Sequence, residues 1–262
     1  NQQGFYPISY YPHNYHFLWA TATLEGDSKT AIDAALKTSQ KPPDSLMEVC
    51  GYQTLQHFAA IPLYAYVTFG KWDEILNYEK PQDERPYILA VWHYARAMAF
   101  ISKNDLFEAE KEITELEKFL NNKAIEELIV WGINSAGLLV QIAHEVSMGE
   151  FEAKRKNYDL AISHLKKSVE LEGQLRYDEP PTWFYPCRQN LGAVLIEAGR
   201  YNEAQIVYEE NLSEIPNNGW GLFGLQQALL LQGRIEEAAD VEKQFKDAWK
   251  YSDFQLTASR IL

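Results

Sequence analysis

The stretch Leu191-Gly192-Ala193-Val194-Leu195-Ile196-Glu197-Ala198-Gly199-Arg200-Tyr201-Asn202-Glu203-Ala204, followed by Tyr208, Leu212 and Pro216, decides the fold. It reads as two helices joined by a tight turn. Gly199 opens the turn, and an aromatic, an acidic residue and Ala204 follow. The small closing residue lets the second helix pack close to the first. Five more turns repeat the pattern: Gly26-Asp27-Ser28-Lys29-Thr30-Ala31, Gly70-Lys71-Trp72-Asp73-Glu74-Ile75, Asn104-Asp105-Leu106-Phe107-Glu108-Ala109, Lys156-Asn157-Tyr158-Asp159-Leu160-Ala161 and Gly233-Arg234-Ile235-Glu236-Glu237-Ala238. The closing residues lie 44, 34, 52, 43 and 34 positions apart. Two spacings share one period, and the longer ones imply inserted loops or lengthened helices.

These turns resemble those of tetratricopeptide (TPR) repeats, whose period is about 34 residues. The resemblance implies an all-α, right-handed superhelical solenoid. Residues 1–262 would form one domain of about six helix-turn-helix repeats, with turns near 26, 70, 104, 157, 199 and 233. A capping helix is expected over 251–262. Periodicity agrees with helices: Ala161, Leu165, Ser168 and Val169 form one stripe, and Leu222, Leu225, Leu229 and Leu230 another. No sheet is expected. Pro42-Pro43, Pro180-Pro181 and Pro216 fall between helices. Pro62 falls inside an expected helix and predicts a kink or a late start there.

The chain has 262 residues, 46% of them hydrophobic, enough for a continuous core. Its formal charge is −13, which disfavours nucleic acid as a partner and suits a basic or neutral one. Two cysteines, Cys50 and Cys187, make neither a disulfide framework nor a zinc site. No apolar run approaches the length of a membrane span.

More specific stretches carry a second resemblance. They are Tyr10-Tyr11-Pro12-His13-Asn14-Tyr15-His16-Phe17-Leu18, Trp92-His93-Tyr94-Ala95-Arg96, Tyr177-Asp178-Glu179-Pro180-Pro181 with Trp183, Tyr185-Pro186 and Arg188, and later Asn218-Gly219-Trp220, Ala248-Trp249 and Ser259-Arg260. In these the chain is similar to a family of bacterial TPR proteins about twice as long. The resemblance implies that this is a C-terminal half, that its own N-terminal half is a candidate partner, and that the protein is bacterial, periplasmic or cytoplasmic. It brings no activity. The aromatic opening, Phe5, Tyr6, Tyr10, Tyr11, Tyr15, Phe17 and Trp19, is then expected to be the seam onto that half.

In a TPR stack the first helix of each unit lines a concave groove. Counting back from the turns sends His13, His16 and His57 into that groove, and His93 two positions off the lining set. Histidines three apart on one helix, with another across a helix pair, suit a transition metal. Structural or ligand-contact roles for them are nevertheless favoured. Tyr64, Tyr94, Gln189 and Gln227 are expected to offer polar or stacking contacts. Trp183 and Tyr185 read either as a recognition loop or as packing onto the next helix. Arg188 is expected to pair with Asp178 or Glu179. Trp92 is expected to pack between repeats, with His93, Tyr94 and Arg96 beside it. Glu145, Glu150 and Glu152 read as a solvated face. No phosphate loop, nucleophile elbow or HExxH helix occurs. The expectation is therefore a non-enzymatic scaffold binding a protein or peptide in its groove. The alternative is a metal- or small-ligand-binding protein using the groove histidines.

Overall fold

The computed structural model describes residues 10–40, 44–47, 49, 52–81 and 85–262. Phe5, Tyr6, Pro42-Pro43 and Cys50 lie outside the described residues. Thirteen α-helices, one short 3-10 helix (Asp44–Leu46) and one hairpin of two-residue strands make up the regular structure described. Twelve helices form six pairs: α1 (Tyr11–Glu25) with α2 (Ser28–Ser39), α3 (Leu55–Thr68) with α4 (Trp72–Leu76), α5 (Pro86–Ser102) with α6 (Leu106–Glu117), α8 (Ala136–Lys154) with α9 (Tyr158–Glu172), α10 (Cys187–Glu197) with α11 (Tyr201–Glu214), and α12 (Gly219–Leu231) with α13 (Ile235–Ala248).

All six turns close in the same way. Each first helix ends on a residue of positive φ: Gly26, Gly70, Asn104, Lys156, Gly199 and Gly233. Glycine reaches that region without strain, which is why four of the six are glycine. The next residue's N–H then bonds five residues back, as in Asp27 to Ala22 (3.0 Å), Asp105 to Phe100 (2.9 Å) and Arg200 to Leu195 (2.8 Å). This is the Schellman closure, and it satisfies carbonyls the helix end would leave free. Asp27 and Asp105 also cap the following helix, accepting from Thr30 N (2.9 Å) and Glu108 N (3.2 Å). The closing residues Ala31, Ile75, Ala109, Ala161, Ala204 and Ala238 are all buried.

The pairs form a row. Each first helix touches the next first helix, and each second helix packs on the pair that follows. The long spacings have separate causes. Between α6 and α8 come α7 (Lys123–Glu126) and an antiparallel hairpin of β1 (Ile129–Val130) and β2 (Asn134–Ser135). This corrects the expectation of no sheet. Between α9 and α10 runs the loop containing Pro180 and Pro181. Helix α3 starts seven residues before Pro62 and runs through it, so the expected late start does not occur.

The segment after α13 corrects a further expectation. Residues 251–262 form no helix. The segment bends back to the start of the row instead. Asp253 accepts from Ser28 N (2.9 Å) and Lys29 N (3.0 Å), capping α2 from the far end of the chain. Trp220 of α12 donates through Nε1 to Thr23 O of α1 (2.9 Å). Trp249 packs on Gly26 and Gly219, where a side chain would overlap its ring. The two ends of the row therefore meet.

Tyr208 of α11 shows how tightly the helices approach. Its ring lies over Gly192 of α10 and Gly224 of α12, and a methyl group at either would overlap it. The ring has no room to retreat, because its hydroxyl is bonded to Ser259 Oγ (2.6 Å). Gly192→Ala is expected to cost about 1–3 kcal/mol through overpacking. Thermal denaturation measures it, and a melt equal to wild type would mean that Tyr208 is not wedged there.

Candidate functional site

Two clusters of polar groups stand out among the described residues. One holds the histidines of α1 and α3, and the other holds the segment after α13.

In the first cluster His16 and His57 come together, with ring centroids 5.8 Å apart. Both are buried. His16 stacks on Trp19 (5.4 Å) and stands edge-on to Phe58 (5.6 Å), and neither of its ring nitrogens has a protein partner. His57 Nδ1 is hydrogen-bonded to the Tyr87 hydroxyl (2.9 Å), which lies 3.2 Å from the Tyr64 hydroxyl. Burial holds His16 well below the ordinary imidazole range, with His57 and His13 adding to the effect. Burial alone brings His57 down to about 4. Burial likewise raises the Tyr64 and Tyr87 phenols, so both stay neutral donors.

His13 does not join this pair as a ligand. It is half-buried and packs edge-on against Phe17 of its own helix (4.8 Å). Among the described residues no group of three His, Cys, Asp or Glu side chains is placed to hold a metal ion. The three-histidine set expected from register therefore does not form. His57 spends a nitrogen on Tyr87, and His16 faces aromatic carbon. Trp19, expected at an external seam, is buried in this same cluster, whereas Tyr10 and Tyr11 are exposed.

His93 and Arg96 meet on Glu112, across the α5–α6 pair. Glu112 accepts from Arg96 Nε (2.6 Å) and lies 2.7 Å from His93 Nδ1. The guanidinium also covers the Trp92 ring (4.6 Å), and Trp92 itself is buried, donating to Tyr78 O (3.3 Å). This network ties two helices together and leaves little of either residue for a partner.

The loop before α10 is turned inward. Trp183 and Tyr185 are buried. Phe184 stacks on Tyr64 (4.4 Å), Trp183 meets Tyr64 and Tyr94 edge-on (5.8 and 5.9 Å), and Tyr185 meets Trp220 (5.5 Å). Three aromatics on a proline-stiffened loop fill the space between α3, α5 and α12, so they pack rather than offer a recognition surface. Tyr64 and Tyr94 are buried under them and are not open to a ligand. Arg188 pairs with Glu210 (3.3 Å) and Glu214 (3.1 Å) of α11, not with Asp178 or Glu179. Asp178 instead accepts from Thr182 Oγ1 (3.0 Å), and Glu179 from the Tyr177 hydroxyl. Helical phase explains the correction: Arg188 sits in the first turn of α10 on the side that meets α11.

The second cluster was missed. Glu150, expected on a solvated face, is 1% exposed, and Glu152 is buried too. Glu150 Oε1 accepts from Arg260 Nε (2.7 Å) and from Asn190 Nδ2 (2.8 Å). Arg260 Nη1 donates to Glu197 Oε1 (3.0 Å). One arginine thus spans carboxylates from α8 and α10. Burial pushes the Glu150 carboxyl up, and Arg260 and Asn190 pull it back. Burial also opposes the Arg260 charge, but Glu150 and Glu197 outweigh it and hold the guanidinium protonated. Ser259 beside it donates through Oγ to Gln189 O (2.9 Å), so Oγ accepts from the Tyr208 hydroxyl, and its carbonyl accepts from the Tyr185 hydroxyl. The available signals were Glu150, an acid directly after Gly149 in an otherwise small and apolar run, and Ser259-Arg260 in a segment with no helical pattern.

A cleft of about 360 Å³ adjoins this cluster, lined among others by Glu150, Lys154, Lys156, Tyr158, Glu197 and Arg260. Glu150 Oε2 is buried and without a protein partner. No described helix is long and apolar enough to cross a membrane. No protein-family model matches the chain, and no curated protein matches it significantly.

Proposed function

We propose that the row of helix pairs is a TPR-type right-handed solenoid whose inner face binds a protein or peptide partner through a segment with no helix of its own. The observation that supports this most is the holding of residues 251–262. Side chains from Glu150 of α8, which Asn190 of α10 holds in place, Glu197 of α10, Tyr208 of α11 and Gln227 of α12 take up a segment with no helix or strand of its own. A surface that takes up the side chains of an irregular segment has the chemistry of a peptide-binding groove. The acidic chain favours a basic or neutral segment. The chain acts as a scaffold, and the groups gathered on its inner face are spent on one another.

Selection of displayed random dodecapeptides on the intact chain tests this. Enriched sequences are expected, and their binding should fall with Asn190→Ala or Gln227→Ala. Selection of nothing above background, or of peptides indifferent to both substitutions, would rule the reading out.

A further inference from the structure

The anchors of residues 251–262 fall in a definite order. Leu256 is buried, Thr257 O accepts from Gln227 (3.3 Å), Ser259 sits between Tyr208 and Gln189, Arg260 lies between Glu150 and Glu197, and Ile261 packs on Gly70. Tyr251 and Gln255 before these anchors, and the Thr257 side chain between them, are exposed. The segment is thus gripped at chosen side chains and solvated elsewhere, as a ligand is.

The arginine contact carries the argument further. A buried ion pair stabilises a fold no more than well-packed apolar residues of similar volume. What it adds is discrimination. Glu150 inside α8 leaves a buried carboxylate without a counter-charge unless a cation such as Arg260 arrives. Glu197 stands 3.0 Å from a second nitrogen of the same guanidinium. Two acceptors on two helices suit the planar fork of arginine better than the point charge of lysine. The flanking subsites are equally selective. One offers the Tyr208 hydroxyl as donor and the Gln189 carbonyl as acceptor to a small hydroxylated residue, and the other is a glycine surface that admits a branched aliphatic one.

We propose that the face formed by α8, α10, α11 and the α3–α4 turn is a receptor site for an irregular partner segment of the form small hydroxyl residue, arginine, branched aliphatic, and that residues 251–262 occupy it in cis. This rests on the peptide-groove reading and names the partner's chemistry. Attachment through α13 gives the cis segment a high effective concentration, on the order of millimolar. A partner therefore binds where the cis segment is released, or where it offers a better match. Local opening of such a segment is a sub-global event, since it requires no helix to unfold.

The test uses the full chain with a protease recognition sequence inserted between Lys250 and Tyr251, both exposed. After cleavage, a fluorescein-labelled peptide of residues 251–262 is added and its anisotropy followed. The nicked chain is expected to bind it at least tenfold more tightly than the uncleaved chain does. The Arg260→Ala peptide is expected to bind at least tenfold more weakly than the parent. Equal binding of the two peptides would overturn arginine recognition, while leaving the groove reading to the dodecapeptide selection. A nicked chain that stays folded and never exchanges its segment would overturn the receptor site. Should the nicked chain fail to fold, hydrogen exchange on the uncleaved wild-type chain decides. Amides of 251–262 that exchange at least tenfold faster than those of α10 and α11 support the site. Exchange in step with those helices overturns it.

Discussion

Replacing Arg260 with alanine is expected to destabilise the fold by about 3–5 kcal/mol, the usual cost of leaving a buried charge without its partner. The melting temperature should fall by on the order of 10 °C. The Glu150 side chain is fully buried, and the Arg260 side chain is 8% exposed. Without the guanidinium only Asn190 still donates to Glu150. The carboxyl then has one escape, which is to take up a proton. Its pKa is already raised by burial, and loss of the cation raises it further. The deficit of Arg260→Ala should therefore shrink as pH falls, because the neutral acid needs no cation. Pairing Arg260→Met with Glu150→Gln should recover most of the loss, since both charges are then gone. Thermal melts of wild type, Arg260→Ala and the Arg260→Met/Glu150→Gln double variant at two pH values measure all of this. A single variant that melts like wild type would mean that the segment is not docked on Glu150.

Acid should weaken the fold through the histidine pair. His57 has a folded pKa of about 4 against about 6.5 when unfolded, and His16 is lowered as well. A depressed pKa means that the folded state binds fewer protons than the unfolded one. The stabilisation is therefore complete above about pH 6.5 and is lost as pH falls from there towards 4. His57 alone accounts for up to about 3 kcal/mol over that window, at 1.36 kcal/mol per unit. Glu172 works in the opposite sense. Burial raises it to about 7, against the bond it accepts from Cys187 N, so its folded state gains a proton as pH falls below 7. Comparing wild type with His57→Phe removes that shared contribution. Denaturant unfolding from pH 7 to 4 should show a drop that is shallower by about 3 kcal/mol in the variant. Parallel curves would mean that His57 is not buried as a neutral imidazole.

The six turns were legible because each is a local event. A residue that tolerates positive φ, a cap and a small closing residue suffice to end one helix, start the next and bring them together. That information lies within six consecutive residues, whether the first is Gly199 or Lys156. Burial of Ala31, Ala109, Ala161 and Ala204 follows from the same local rule. The meeting of His16 and His57 was also legible, because turn register fixes which way neighbouring first helices point. What register could not fix was the company they keep. Tyr87 takes one nitrogen, and Trp19 and Phe58 close around the other ring, while His13 turns to Phe17 one turn along its own helix.

The site lay beyond the sequence for a different reason. Glu150 and Arg260 are 110 positions apart, and Tyr185 and Ser259 are 74 apart. No periodicity relates such pairs, and an acid on a helix reads as solvated until something covers it. Whether residues 251–262 cap the last repeat or fold back across the row depends on how far the row curves. That curvature is set by the summed packing angles of six helix pairs, so it exists only in the tertiary structure. By itself the sequence determined the helices, their turns and their order. The closure of the row, and with it the burial of the proline loop and the seating of Arg260, was decided only when the ends met.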